Sequence, residues 1–267
     1  MGERRTTYLG ALLLLVLLGF IFVGATGQKQ TGWYNIEPSR KVSENLGAVL
    51  GDVESRMPRG HIYTDSDQIT WTHETTHGLN SKWRQYFQGK ACLYVLKGRL
   101  CVLTHPQMTL NQIAGKVPAS LRGNGYNLYL RQQTQYWNNE PLYVLDEWVS
   151  YTNGVAAILD LEEKGLLRRG DRSYGHDLEK MVQFTNYALV LTQLEGGKDP
   201  ELTTFIRWHC ERARALLLKA QGSKVINPSF AKETLGRLRQ SPDGANLRAF
   251  CRSHFGKEWC KSILGVQ

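Results

Sequence analysis

Two histidines with a glutamate between them give this sequence its clearest chemical signal. His73 and His77 stand four positions apart, and Glu74 directly follows the first. On an α-helix this spacing places both imidazoles on one face, where they can bind a single Zn²⁺. A neighbouring carboxylate can take a proton from zinc-bound water, whose pKa the metal lowers toward neutrality. The pattern therefore predicts a hydrolytic site with His73 and His77 as zinc ligands and Glu74 as general base.

The first element that must position these side chains is a helix, and a start signal precedes them. Asp65 opens a capping-box pattern at the place where helical spacing begins. A helix from about Ser66 carries Ile69, His73 and His77 on one face. The surrounding residues therefore favour the helical context that a zinc site of this spacing requires.

A second helix is predicted from about Glu140. Pro141 suits its first turn, and apolar residues then recur at helical spacing as far as Leu159. This apolar face would dock the second helix beside the first. The same helix carries two adjacent carboxylates, Asp146 and Glu147, which become candidates for a further metal ligand.

The motif and its helical setting resemble the zincin metallopeptidases, and within them the gluzincin-like group. The resemblance covers about residues 61–155. It implies that the third protein ligand is a glutamate on a later helix and that water takes the fourth position. The metzincin branch instead needs a third histidine soon after the second, and no histidine follows His77 until His105.

The resemblance assigns the third ligand to Glu147. Asp146, Glu140 and His105 stay open as alternatives, since each carries a donor atom that zinc accepts. Asp146 is also a candidate acceptor that orients a ligand histidine from behind. The implied cofactor is Zn²⁺, and the implied partner is a peptide or protein substrate.

The resemblance also implies a donor for the oxyanion that develops on the scissile carbonyl. Tyr143 and Tyr151 lie one helical turn before and after Glu147, so either is a candidate. By the same analogy, residues 93–96 or 100–103 would form an edge strand that holds a peptide by strand addition.

The remaining patterns place these elements in a mixed fold. Apolar runs at 91–96 and 100–103 predict a β-hairpin, whose two-residue turn at 97–98 would set Tyr94 opposite Cys101. Residues 105–127 have the composition of a loop. Other segments have helical spacing, namely 42–53, 177–194, 200–220, 230–238 and 245–264.

The predicted fold is therefore α+β and predominantly helical. A zincin-like core with a small antiparallel sheet is followed by a C-terminal helical region. The predicted regions are an N-terminal signal or anchor (1–27), a lead-in (28–60), the catalytic core (61–165), a linker (166–175) and the helical region (176–267).

The N-terminal segment predicts export from the cytoplasm. Arg4 and Arg5 precede an apolar run, residues 8–23, which suits a cleavable signal peptide or an uncleaved membrane anchor. Either alternative makes the protein secreted, periplasmic or membrane-anchored, with its catalytic region outside the cytoplasm. An exported chain allows disulfides among its five cysteines, of which Cys251 and Cys260 are one candidate pair.

The charge pattern gives no sign of nucleic-acid binding. The net charge is +9, but the lysines and arginines are scattered, and no aromatic-interleaved basic motif is present. We therefore expect an exported or membrane-anchored zinc peptidase. Two alternatives stay open: a non-catalytic envelope protein whose helices bind a partner, and a zinc hydrolase that acts on a non-protein substrate.

Overall fold

The predicted hairpin is present, and it belongs to a three-stranded antiparallel sheet. The computed structural model describes residues 30–57, 67–167 and 174–267 of the chain. The strands are β1 (Gly32–Asn35), β2 (Ala91–Tyr94) and β3 (Arg99–Leu103), in the order β1-β3-β2. The sequence analysis missed β1, because its four residues are too few to show an alternating pattern.

The register of the hairpin differs from the predicted one by a residue. Leu93, not Tyr94, lies opposite Cys101. The loop is longer than the predicted two-residue turn because residues 96–98 all have positive φ, at 72°, 54° and 70°. The prediction was wrong because Leu96, an apolar residue, gave no sign that it leaves the strand.

Ten α-helical segments occur in the part of the chain that the structure describes. They are α1 (Gly47–Glu54), α2 (Gln68–Tyr86), α3 (Leu110–Lys116), α4 (Thr134–Trp137), α5 (Tyr143–Glu163), α6 (Gly175–Glu195), α7 (Pro200–Ala220), α8 (Ser229–Gln240), α9 (Ala245–Phe255) and α10 (Lys257–Trp259). The predicted C-terminal helix, 245–264, is interrupted at Gly256, whose φ of 92° is incompatible with a helix.

Helix α2 confirms the helix predicted for the two histidines, but its N-cap is Asp67. The Asp67 side chain accepts a hydrogen bond from the Ile69 amide at 3.0 Å, which satisfies one of the free donors at a helix start. The predicted cap residue, Asp65, lies outside the described residues.

The segment predicted as a loop, residues 105–127, contains helix α3. Thr109 and Gln112 form a reciprocal capping box, in which Thr109 Oγ1 accepts from the Gln112 amide at 3.2 Å. A π-helical segment, Tyr126–Gln132, follows. The loop prediction was wrong because it gave the prolines and glycines of this segment more weight than the capping box.

Helix α5 is the central helix of the fold, since it packs against both α2 and α6. One continuous hydrophobic core extends from Ile69 in α2 to Val266 near the C-terminus. The described residues from Thr31 onward belong to one compact unit. The structure is therefore α+β and predominantly helical, as predicted. The predicted catalytic core and the predicted C-terminal helical region both contribute residues to this hydrophobic core. The boundary between the two regions stays a prediction.

The predicted export features lie largely outside the described residues. Residues 1–27 are among those not described, and within the described ranges no helix is both long and apolar enough to cross a membrane. All five cysteines are buried free thiols, so Cys251 and Cys260 are not bridged.

Candidate metal centre

Helix α2 brings the two predicted histidine ligands together. Ile69 and Leu79 are buried on either side of the pair and anchor the helix in the core. The Nε2 atoms of His73 and His77 lie 3.0 Å apart. The His73 side chain is 11% exposed and that of His77 is 22% exposed, so the pair lies at the edge of the core within reach of solvent.

Glu147 of α5 faces both histidines. Its Oε2 lies 3.7 Å from His73 Nε2 and 3.6 Å from His77 Nε2. A tetrahedral zinc ion with bonds of about 2.0–2.1 Å separates neighbouring ligand atoms by about 3.3 Å. The separations of the three donor atoms, 3.0, 3.6 and 3.7 Å, lie on either side of that value. These atoms are also the one group of three such donors, among the described residues, that could hold a metal ion.

The Glu147 carboxylate is fixed in a way that suits a metal ligand. Its Oε1 accepts a hydrogen bond from the Tyr143 hydroxyl at 2.7 Å. Its Oε2 is buried and has no hydrogen-bond partner among the described residues. A buried carboxylate oxygen without a partner is costly. A cation between Oε2 and the two imidazoles would remove that cost, so the site fits a metal ion.

Asp146 lies behind His77. Its Oδ2 is 3.1 Å from His77 Nδ1, while its Oδ1 accepts from Asn80 Nδ2 at 2.5 Å. With a proton on Nδ1, the imidazole donates to Asp146 and leaves the Nε2 lone pair for a metal. Asp146 therefore has the geometry of an orienting carboxylate, which was the second role considered for it.

The same carboxylates set the charge of His77. Burial by itself would lower the pKa of His77. The charges of Asp146 and Glu147, together with the close contact between Asp146 and the ring, outweigh burial and raise this pKa well above its ordinary value. The pocket is thus built to stabilise positive charge at the position between the imidazoles and the carboxylates.

Two asparagine side chains connect the site to strand β2 through hydrogen bonds. Asn80 Oδ1 accepts from the Tyr94 amide at 2.7 Å, and Asn153 Nδ2 donates to the Tyr94 carbonyl at 3.0 Å. Both backbone groups that Tyr94 directs away from β3 are therefore occupied. A substrate strand therefore cannot pair with β2 at Tyr94, so the expectation of strand addition is wrong there. It is also wrong for β3, because β3 is the central strand and has a neighbour on each side.

The two predicted oxyanion donors hold other positions. The Tyr143 hydroxyl has a single hydrogen, which it donates to Glu147, so Tyr143 orients the carboxylate. Tyr151 packs its ring edge-on against His73, with centroids 4.3 Å apart. Its hydroxyl lies 2.5 Å from that of Tyr129. Their oxyanion roles remain predictions from the resemblance.

Tyr129 is a residue of the site that the sequence did not reveal. It lies in the π-helical segment and is partly exposed. Burial raises the pKa of its phenol to about 12, with further contributions from the charges of Glu147 and Glu74. Tyr129 therefore stays protonated at neutral pH, as a donor must. No spacing relative to the histidines could have identified it, because the π-helical segment was not predicted.

Glu74 and the two remaining ligand alternatives are separate from the three donor atoms. Glu74 is exposed and leaves α2 about 100° around the axis from His73. Glu140 forms an ion pair with Arg84. His105 contacts a different, small cavity of about 60 Å³, and burial lowers its pKa to about 4, assisted by the Arg84 charge.

Comparisons with protein-family models, with curated proteins and with solved structures found no match. The case for a function therefore depends on the residues of the site and their geometry. The resemblance to zincins remains a prediction from the motif.

Proposed function

We propose that the protein is a zinc-dependent hydrolase with a zincin-like core, and that its substrate is a peptide or protein. The observation that carries the proposal is the buried Oε2 of Glu147, which has no hydrogen-bond partner among the described residues and lies 3.7 and 3.6 Å from the Nε2 atoms of His73 and His77. Two imidazoles and one carboxylate with an open fourth position form the donor set of catalytic zinc. Glu74 in the same motif favours hydrolysis over other uses of such a metal site.

The residues around the proposed zinc have different roles in the reaction. When bound, zinc supplies a water of lowered pKa and polarises the scissile carbonyl. Glu74 would act as the general base, accepting a proton from the attacking water and delivering it to the leaving amine. Tyr129 is the donor we assign to the carbonyl oxygen, since the hydroxyl of Tyr143 is engaged by Glu147 and Tyr129 is the more exposed member of the hydrogen-bonded pair Tyr129–Tyr151.

The location of the activity is part of the same proposal. The apolar run at residues 8–23, preceded by Arg4 and Arg5, supports secretion, periplasmic location or membrane anchoring. Substrates are then peptides or proteins outside the cytoplasm. A zinc hydrolase that cleaves non-protein substrates would use the same ligands, so substrate profiling separates the two.

The test uses the full chain, loaded with zinc, on casein and on a library of internally quenched peptides. We expect cleavage by the wild type and loss of turnover of about 10²–10⁴-fold in Glu74→Gln, because the base is removed while all three ligands remain. Glu258→Gln removes an exposed carboxylate of the C-terminal region and serves as the matched control. Zinc-loaded wild type that cleaves no peptide would refute the peptidase proposal.

A further inference from the structure

A cavity of about 770 Å³ lies between the hairpin, α5 and α7. None of the three proposed metal ligands lines it. Its volume is within the ~300–1,000 Å³ typical of sites for small molecules. Its apolar lining comes from all three elements and from α1, namely Val49, Val95, Leu96, Ala156, Leu159 and Leu216. The cavity can therefore take up an aliphatic chain.

Arg212 lines this cavity with an unsatisfied guanidinium. Its Nη2 donates to Asn153 Oδ1 at 2.7 Å. Its Nη1 is buried and has no hydrogen-bond partner among the described residues. Burial lowers the pKa of Arg212 to about 10, so the group is still charged at neutral pH. A buried charged donor without an acceptor is costly, and a bound anion would supply the acceptor.

Other cations reinforce the positive charge. The Arg99 guanidinium lies 4.3 Å from the ring centre of Trp33 and 5.1 Å from that of Trp208. These aromatic faces hold it without neutralising it. Lys97 and Lys219 also line the cavity. None of the four cations forms an ion pair with a carboxylate in the described ranges.

The carboxylates on the wall are mostly engaged elsewhere. Asp160 pairs with Lys164 at 2.8 Å and accepts from the Ala48 amide at 2.6 Å. Glu162 accepts from Ser223 Oγ at 2.6 Å. Together with Glu163 they make three carboxylates against the four cations of the lining, and the charge of Asp52 also acts on Arg212. The lining therefore favours a singly charged anion over a doubly charged one such as phosphate.

We propose that this cavity binds an aliphatic chain that ends in a carboxylate, with the carboxylate on Arg212 Nη1 and the chain along the apolar lining. The chemistry has two sources, a fatty acid or the C-terminus of a peptide with an aliphatic last residue. Both present one negative charge at the end of an apolar group, which complements the charged Arg212 guanidinium and the apolar lining.

Titration calorimetry on the full chain tests this site with four probes. Decanoate and N-acetyl-leucine carry the carboxylate, whereas decanol and N-acetyl-leucine amide are their neutral counterparts. We expect at least one carboxylate to bind more than tenfold more tightly than its neutral counterpart. Decanoate binding identifies a fatty-acid site, and binding of N-acetyl-leucine alone identifies a site for peptide C-termini.

Two variants keep the test decisive. Arg212→Met removes the charge, and Leu216→Trp fills the cavity without touching the Arg212–Asn153 contact. Each should weaken carboxylate binding more than tenfold, and the second variant decides the matter if the first does not fold. Arg252→Met, a change outside the cavity, should leave binding unchanged. The proposal is overturned if neither carboxylate binds, or if both variants that fold bind as the wild type does.

Discussion

The proposed metal centre and the Arg212 cavity are incomplete in opposite ways. In the first, the buried Oε2 of Glu147 is an anion without a hydrogen-bond donor; in the second, the buried Nη1 of Arg212 is a cation without an acceptor. Each group is held in place through a second polar atom: Glu147 Oε1 accepts from Tyr143, and Arg212 Nη2 donates to Asn153. Each site is thus organised in advance for a ligand of the opposite charge.

The polar groups between the two sites are, by contrast, satisfied. Asn153 links Arg212 to the Tyr94 carbonyl, and Asn80 links the Tyr94 amide to Asp146. Other buried polar atoms of the described residues also lack a hydrogen-bond partner, among them Trp148 Nε1 and Ser150 Oγ on the same helix as Glu147. Glu147 and Arg212 differ from these because their groups are charged, and a buried charged group without a partner costs more than a neutral one.

The largest effect on zinc affinity is expected when the negative charge of Glu147 is removed. Glu147→Gln keeps the shape of the side chain but removes the charge, and it should weaken zinc binding by more than about 100-fold, beyond the loss typical of an outer-shell change. Competition with a chromogenic chelator measures it. Glu140→Gln is the matched control, since Glu140 pairs with Arg84 and not with the histidines. Equal zinc affinity in wild type and Glu147→Gln would refute this ligand.

A smaller effect is expected when the orienting carboxylate is changed. Asp146→Asn should weaken zinc binding by about 10–100-fold, because His77 loses the charged acceptor that fixes its Nδ1 proton. The same chelator competition applies. A loss as large as that of Glu147→Gln would instead indicate that Asp146 is itself a ligand.

Removing one hydroxyl should have a weaker effect. Tyr143→Phe frees Glu147 Oε1 from its hydrogen bond, so the carboxylate can rotate away from the histidines. We expect zinc affinity to fall by about tenfold, because one charge-assisted hydrogen bond to the carboxylate is lost while all three ligands remain. If Tyr143 were the oxyanion donor, zinc affinity would be unchanged and turnover would fall, which peptide kinetics would reveal.

The smallest effect concerns His105, a half-buried histidine whose pKa is lowered by burial and by the Arg84 charge. The pKa of His105 is about 4 in the folded protein and about 6.5 when unfolded. The unfolded state therefore binds more protons between these values, so stability is full above pH 6.5 and falls as the pH drops toward 4. His105→Gln should reduce the loss between pH 7 and 5 by about 1 kcal/mol, after allowance for partial exposure.

Urea unfolding at both pH values measures this effect. Part of the acid sensitivity should remain in the variant, because burial and the Arg212 charge also lower the pKa of His209. Identical pH dependence in wild type and His105→Gln would contradict the assignment.

The sequence predicted the parts of the site that one helix determines. The spacing of His73 and His77 requires only a helix, and the local pattern indicated one. The choice between Asp146 and Glu147 required more, because the two side chains leave α5 about 100° apart. The rotation of α5 against α2 decides which one faces the histidines, and long-range packing sets that rotation.

Features that depend on distant partners could not be predicted. β1 is a strand because it pairs with β3, more than sixty residues later. Tyr129 and Arg212 come from segments with no sequence relation to the motif, and tertiary packing brings them to their sites. The hairpin register also escaped prediction, since it depends on left-handed backbone conformations at residues 96–98.

Metal content of the purified full chain tests the central claim most directly. After dialysis against trace-metal-free buffer, mass spectrometry should find about one zinc per chain, and essentially none in a His73→Ala/His77→Ala double variant that retains its helical circular dichroism. A wild-type chain without zinc, or a double variant with undiminished zinc, would contradict the assignment of the metal centre.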